Sequence, residues 1–355
     1  GGDCLSGCAF PARGCAAMKD TYLLSCEKNL SGIAPGTFQI HQYPGNTRFL
    51  CHFTDSFSTK TEGKGRIQVY SLFPGIQLAF HQYLADQVHF QHPAQHSALE
   101  INYCHRGRIG WNMHHHISVY LGSGDLCLHT LDCCADSQMT LPLGYYEGIS
   151  ITIDPALLGT KLPEILREAD WNPDMLIQTF CGDGHPFALP AAPQLDSILG
   201  ILYDLPEALR LPYYKLKTQE LLLYLSQMDP RATTHLPPYV SQQTELIREI
   251  HSFLMAHLDK RFTIEELSKK YLINSASLKT LFKAVYGLPI ATYMKKCRME
   301  AAMKLLRETD RQIADIASAV GYESQGKFTR AFKEESGMTP REYRKIQTSA
   351  EGSCS

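Results

Sequence analysis

Two short segments set basic and hydroxyl side chains along the outer arc of a helix. At 100° per residue, a helix through residues 275–286 that turns Leu278 and Phe282 inward turns Ala276, Lys279, Thr280 and Lys283 outward. A helix through residues 324–336 that buries Phe328 and Phe332 turns out Gly326, Thr329, Arg330 and Lys333, with Gln325 and Lys327 beside them. Insertion into the major groove of double-stranded DNA requires small, donor-rich, basic faces of this kind. Bulk would obstruct the groove and acid would repel phosphate. Arg330 can donate two hydrogen bonds to a guanine edge, and Lys279 can do the same or hold a phosphate. One such face alone reads equally well as a solvated helix surface, but the same arrangement occurring twice weighs against that.

Other chemistry is poorly supported. His92, His96, Glu100 and His129 would suit a divalent metal if they converged from facing strands. The first two are four residues apart with Pro93 between them, which does not bring them to one strand face. In "MHHHIS", His114, His115 and His116 would alternate across a strand and could not chelate together. No Gly-rich phosphate loop, nucleophile elbow or paired-carboxylate motif is present, so no catalytic residue, metal ligand or cofactor is expected. The twelve cysteines fall irregularly, without a C-x-x-C pair. That argues against a zinc framework or disulfide scaffold and for a reducing, cytoplasmic location. No apolar run approaches the ~20 residues a membrane span needs.

The two faces are held by an internal repeat. Ile264, Leu267 and Tyr271 recur 49 residues later as Ile313, Ile316 and Val320, and Leu278, Phe282 and Gly287 recur 50 residues later as Phe328, Phe332 and Gly337. Each copy reads as helix, tight turn and second helix, the outline of a helix-turn-helix. "TIEE" (Thr263, Glu266) and "TPRE" (Thr339, Glu342) carry capping-box residues, and Gly287, Gly321 and Gly337 follow apolar-periodic runs where a left-handed cap is wanted. Seven helices are predicted, starting near Ile247, Thr263, Ser275, Pro289, Arg311, Ser324 and Thr339. The central one, residues 289–308, would span about 30 Å, close to the ~34 Å between successive major-groove faces on one side of a duplex.

These residues resemble the DNA-binding domain of the AraC/XylS family of bacterial transcription regulators across residues 244–345. The resemblance rests on "RMEAAMKLL" (Arg298, Ala302, Leu305, Leu306), "IADIASAVGY" (Ile313 to Tyr322) and "FTRAFKEESGMTPREYR". It implies that the third and sixth helices enter adjacent major grooves. Carried over by position, the base-reading candidates are Ala276, Lys279, Thr280, Gln325, Gly326, Thr329 and Arg330. Ala276 and Gly326 stand where larger groups would reach bases, so few contacts are expected there. Ile313, Ile316, Ala317 and Gly321 are packing and turn residues. The resemblance also implies a regulator, more readily an activator working through RNA polymerase.

The rest of the 355-residue chain has a different character. Residues 244–347 carry 19 Lys and Arg against 13 Asp and Glu, whereas residues 1–243 carry 15 against 22. A basic module joined to an acidic one fits a polyanion partner for the former. Segments such as "RIQVYSLF", "IQLAFHQYL", "ALEINYCH", "RIGWNM", "ISVYLGSGDLCLH" and "GISITID" read as strands separated by turn residues, a barrel or sandwich over residues 37–154. Residues 155–229 read as helical and 230–243 as a Pro/Thr/Gln-rich linker. Residues 1–17 and 348–355 are expected to be disordered. The β-rich region is similar to the cupin-like sensor domains that precede this DNA-binding domain, and the helical stretch is similar to their dimerisation region. Leu221, Leu222, Leu223 and Leu225 there suit either a core or a partner helix. The fold expected is therefore α+β in two domains: a cupin-like β-barrel with a helical dimerisation region, then an all-α domain with two helix-turn-helix motifs. The function expected is a homodimeric, sequence-specific DNA-binding regulator governed by a small-molecule effector. The alternative is a cupin-type metal enzyme fused to a DNA-binding domain.

Overall fold

The computed structural model describes residues 15–44, 47–50, 63–91, 98–134, 136–159 and 161–351. Residues 1–14 and 352–355 of the expected disordered ends lie outside that range, as do His92 and His96. Cys15–Asn29 is a helix, α1. The chain divides into two compact units, with bodies at 26–245 and at 246–284 plus 288–351.

The first unit is built on strands β1 (Phe38–Tyr43), β2 (Thr47–Leu50), β3 (Lys64–Phe73), β4 (Ile76–Leu84), β5 (Gln87–Gln91), β6 (Leu99–Gly107), β7 (Ile109–Met113), β8 (Ile117–Leu121), β9 (Leu126–Thr130), β10 (Asp136–Thr140) and β11 (Tyr145–Ile153). Short helices follow: α2 (Pro155–Leu158), α3 (Glu164–Glu168) and α4 (Pro173–Cys181). Next come strand β12 (Phe187–Leu189), helices α5 (Pro193–Leu199) and α6 (Glu207–Ser226), and strand β13 (Tyr239–Val240). The strands do not close into the expected barrel. Among the described residues they form an eight-stranded sheet, β12-β9-β6-β11-β4-β3-β1-β2, and a five-stranded one, β13-β8-β7-β10-β5.

The two-residue period of a strand explains this layering. Along β6, Leu99, Ile101 and Tyr103 enter one core with Leu176, Phe180, Leu195, Leu221 and Leu225 from the helices. Cys104, turned the other way, joins Ile109, Trp111, Val119 and Leu121 of the second sheet. The large sheet is thus covered on both faces, which is why its strands read as apolar runs rather than clean alternation. Leu221, Leu222 and Leu225 of α6 are fully buried in the first core. The exposed leucines of α6 are instead Leu209, Leu211 and Leu216. The presumed linker is partly structured: Leu236 N donates to Ala188 O at 2.8 Å, and Tyr239 and Val240 pair with Ser118 and Ile117.

The remaining helices are α7 (Ser241–Ala256), α8 (Ile264–Tyr271), α9 (Ser275–Tyr286), α10 (Ile290–Glu308), α11 (Ile313–Ala319), α12 (Gln325–Ser336) and α13 (Pro340–Glu351). α7 starts earlier than its apolar period suggested, directly after β13, and α13 runs past the expected domain end at 347. Both capping boxes form. Thr263 Oγ1 accepts from Glu266 N at 3.1 Å and Thr263 N donates to Glu266 Oε2 at 2.7 Å. The matching distances at Thr339 and Glu342 are 3.3 and 2.7 Å.

The two helix-turn-helix copies differ at one turn position. Gly321 closes α11 with φ 79°, and a Cβ there would stand 2.6 Å from Leu258 O. Its equivalent in the first copy is Leu272, which adopts φ 52° and is 93% exposed. An L-residue in that region costs about 1–2 kcal/mol, and Leu272 gains almost no burial in return. Leu272→Gly should therefore stabilise the protein by roughly 1 kcal/mol, and Gly321→Ala should destabilise it by at least about 1–2 kcal/mol. Urea unfolding of both variants checks the two signs together.

Candidate functional site

The residues expected to face DNA share two helix surfaces. On α9, Asn274 Oδ1 accepts from Ala276 N at 2.8 Å and Ser277 N at 3.3 Å, which starts the helix. Leu278, Phe282 and Val285 are buried, and Ala276, Lys279, Thr280 and Lys283 are exposed. On α12, Ser324 Oγ accepts from Lys327 N at 3.3 Å. Phe328 and Phe332 are fully buried, whereas Gln325, Gly326, Lys327, Arg330 and Lys333 are exposed and Thr329 is half-buried.

α10 stands behind both faces. Its Tyr293 meets Phe282 of α9 edge-on, with centroids 5.5 Å apart. Met299, Ala302, Met303 and Leu306 pack with Ile313, Ile316, Ala317, Val320, Phe328 and Phe332. Arg298 of α10 donates through Nε to Leu258 O at 3.1 Å and through Nη2 to Lys260 O at 2.8 Å, tying down the loop before α8. Arg261 from that loop donates to Gly321 O at 3.0 Å and lies over the Tyr322 ring. The second turn is thereby braced by backbone acceptors on one side and a packed core on the other.

Reading the outward residues alone missed two carboxylates. Glu323 Oε2 lies 2.6 Å from Lys327 Nζ. Glu334 Oε1 accepts from Arg330 Nε at 3.2 Å, while its Oε2 lies 3.5 Å from Lys295 Nζ on α10. The hydrogen bond from Arg330, then that from Lys295, holds the Glu334 carboxyl below the usual carboxylate range. Lys327 does the same to Glu323. The spacing of four residues in each pair was the available signal. Gly326 has no steric role within the protein, since nothing lies within 4 Å of the Cβ it lacks.

The first unit carries a polar cluster on the face of its large sheet that meets the small one. His81 lies 2.6 Å from both Tyr83 OH (Nδ1) and Ser150 Oγ (Nε2). Asn102 Nδ2 donates to Glu100 Oε1 at 2.9 Å and stands 2.9 Å from His129 Nε2. His129 Nδ1 is 3.1 Å from Thr130 O. Burial holds the His81 imidazole down at about 4. Burial also raises the Glu100 carboxyl, but the hydrogen bond and charge of His129, with Asn102 and His81 adding to them, outweigh this and bring it to about 2. Glu100 and His129 pair across β6 and β9, yet no group of three His, Cys, Asp or Glu suited to a metal occurs among the described residues. His114–His116 form a single turn, with His115 and His116 at positive φ, rather than the strand presumed for them. Among the described residues no helix is long and apolar enough to cross a membrane.

Residues 267–346 match the model of a helix-turn-helix domain family. The chain is 35% identical over 112 residues to the HTH-type transcriptional activator RhaR of Yersinia pestis, a match covering 30% of this chain and 39% of that protein. It is 35% identical over 103 residues to the Right origin-binding protein of Escherichia coli, covering 29% of this chain and 36% of that one. The chain thus spans well under half the length of these curated relatives. Among solved structures, the C-terminal domain of the two-component response regulator yesN from Fusobacterium nucleatum is 34% identical. The aligned part is 29% of this chain and 99% of that domain, at a TM-score of 0.27.

Two outcomes are expected. Gly326→Ala should stabilise α12 by about 1 kcal/mol, because the helix gains its best former without a clash; urea unfolding reads this. Between about pH 6.5 and 4 the unfolded chain takes up a proton that folded His81 refuses, so stability falls as pH falls through that window. Melting temperatures from pH 7 to 4 should show the loss, and His81→Gln should flatten it.

Proposed function

We propose, from the premise that the C-terminal domain is a helix-turn-helix domain of the AraC type, that this chain regulates transcription by binding specific double-stranded DNA through α9 and α12. The observation that carries this reading is the pair of outward, acid-poor arcs, Ala276-Lys279-Thr280-Lys283 and Gln325-Gly326-Thr329-Arg330, exposed except for the half-buried Thr329 and each backed by a buried apolar face. α10 has 19 residues, a length of roughly 28 Å. That separation suits two major-groove segments on one side of a duplex. Arg330 reads a base edge. Lys279, Lys283, Lys327 and Lys333 supply phosphate contacts.

In the same reading the first unit is a cupin-like sensor that holds a small-molecule effector. The polar cluster of His81, Glu100, Asn102, His129 and Ser150 supports this as a set of buried donors and acceptors that could turn to a ligand, although its members now satisfy one another. Leu209, Leu211 and Leu216, exposed on α6, support a homodimer. In this reading the protein acts in the cytoplasm as an activator that contacts RNA polymerase; the RhaR relative is named a transcriptional activator.

Selection of bound sequences from random DNA with the purified chain tests the reading. The expected motif has two parts about one helical turn apart. Against that site, Arg330→Ala should weaken binding by about 1–3 kcal/mol and relax preference at one base. Lys279→Ala should weaken all sequences alike and reduce the salt slope by about one. Affinities of both variants equal to wild type at fixed salt would sink the proposal.

A further inference from the structure

The two proposed recognition helices hold their cations differently. On α12, Arg330 gives its Nε to Glu334 at 3.2 Å, and Glu334 is held from behind by Lys295 of α10 at 3.5 Å. On α9, Lys279 and Lys283 have no ion-pair partner among the described residues. Fifty positions separate equivalent sites, so Arg330 corresponds to Thr280 and Glu334 to Ala284. The first copy therefore has neither the fork nor its brace.

The geometry of a guanidinium gives this difference a consequence. Arginine reads guanine with two parallel donors directed at O6 and N7, and its five N–H groups lie in one rigid plane. A carboxylate on Nε uses one edge of that plane and leaves Nη1 and Nη2 for a ligand. It also limits rotation of a side chain that is otherwise 85% exposed. Lys295, whose side chain is 41% exposed, gives the carboxylate a second contact from α10, so Glu334 is held from two helices rather than by Arg330 alone. Glu334 also carries a negative charge that opposes the general attraction of α12 to phosphate.

We propose that Glu334 is a positioning and specificity-determining residue. It orients Arg330 toward a guanine edge and makes α12 the helix with the stronger base preference, while on α9 Lys279 and Lys283 grip the backbone and the smaller Ala276 and Thr280 read more weakly. This rests on the DNA-binding reading above. Removal of the brace therefore has a distinctive sign: affinity for the selected site falls, and affinity for unrelated DNA does not.

The test uses the full chain, the site selected from random DNA and an unrelated duplex at one salt concentration. Glu334→Ala places a strong helix former on an exposed site and leaves the fold intact. It should lower the ratio of specific to non-specific affinity roughly tenfold, with the loss confined to one G·C pair, and should raise or preserve non-specific affinity. Glu334→Gln, which keeps an acceptor for Nε, should recover most of the preference at that pair. In an Arg330→Ala background, Glu334→Ala should leave the ratio unchanged. If Arg330→Ala lowers the ratio and Glu334→Ala does not, the positioning role is overturned and the DNA-binding reading stands. If neither variant changes the ratio, both Arg330 as reader and Glu334 as its brace are overturned.

Discussion

Both outward faces depend on one shared helix, α10, through its buried side. Tyr293 of α10 packs on Phe282 of α9, and Met299, Ala302, Met303 and Leu306 pack under Phe328 and Phe332 of α12. A helix of twelve residues is marginal alone and has no preferred orientation in isolation. Its polar arc acquires a direction only when the opposite arc is committed to a core. Because α10 supplies core residues to both copies, the direction of α9 is coupled to that of α12. The polar residues of each arc contribute little to this. The main polar contribution comes from α10 itself, whose Arg298 holds the loop before α8 through two backbone acceptors.

That shared core makes an imperfect turn tolerable. At the second turn Gly321 enters the left-handed region freely and has no room for a Cβ. At the first, Leu272 adopts the same region at a cost, with its side chain in solvent. The Ser268 carbonyl closes α8 in spite of this: Leu272 N and Ile273 N both donate to Ser268 O. At this turn local rules specify the second copy more completely than the first, whereas at the start of the motif the order reverses, α8 having a capping box and α11 no side-chain cap.

The helical domain was legible because its signals are local. Capping boxes, glycine stops and a 3.6-residue period lie within a turn or two of the elements they specify, and the 49–50-residue repeat supplied an internal check. The β-rich unit is specified by pairings between distant residues, and there the reading was coarser. The long apolar strands β3, β4, β6 and β11 were visible, but polar segments such as "QVHFQ" and "DSQMT" in β5 and β10 carry no run of β-branched residues. β10 pairs with β5 on one side and with β7 on the other, building the separate sheet that replaces the expected barrel. Pro/Thr/Gln content likewise hid β13, whose two residues are specified by the edge of β8 they join. The inner-face cluster was partly visible as Glu100 and His129, but Asn102 and His81 belong to it only through sheet register.

At the candidate site the outward residues were legible by angle, whereas their partners were not. The charge count shows an excess of Lys and Arg in the domain but not which of those cations are engaged. In the structure, availability differs by helix: Lys327 and Arg330 are each held by a carboxylate four residues away, and Lys279 and Lys283 are not. For a DNA reader this distinction matters more than the total. Unpaired lysines increase affinity for every duplex alike and make it steeply salt-dependent, whereas a genome presents a vast excess of wrong sites. A carboxylate on the reading helix weakens attraction to phosphate everywhere, and it aids recognition only where it also orients the donor it neutralises. An acid on such a face is therefore informative in proportion to how well it is itself anchored. Glu334, contacted by Arg330 on its own helix and by Lys295 from α10, comes nearer to that condition than Glu323, whose ion pair among the described residues is with Lys327 four positions on.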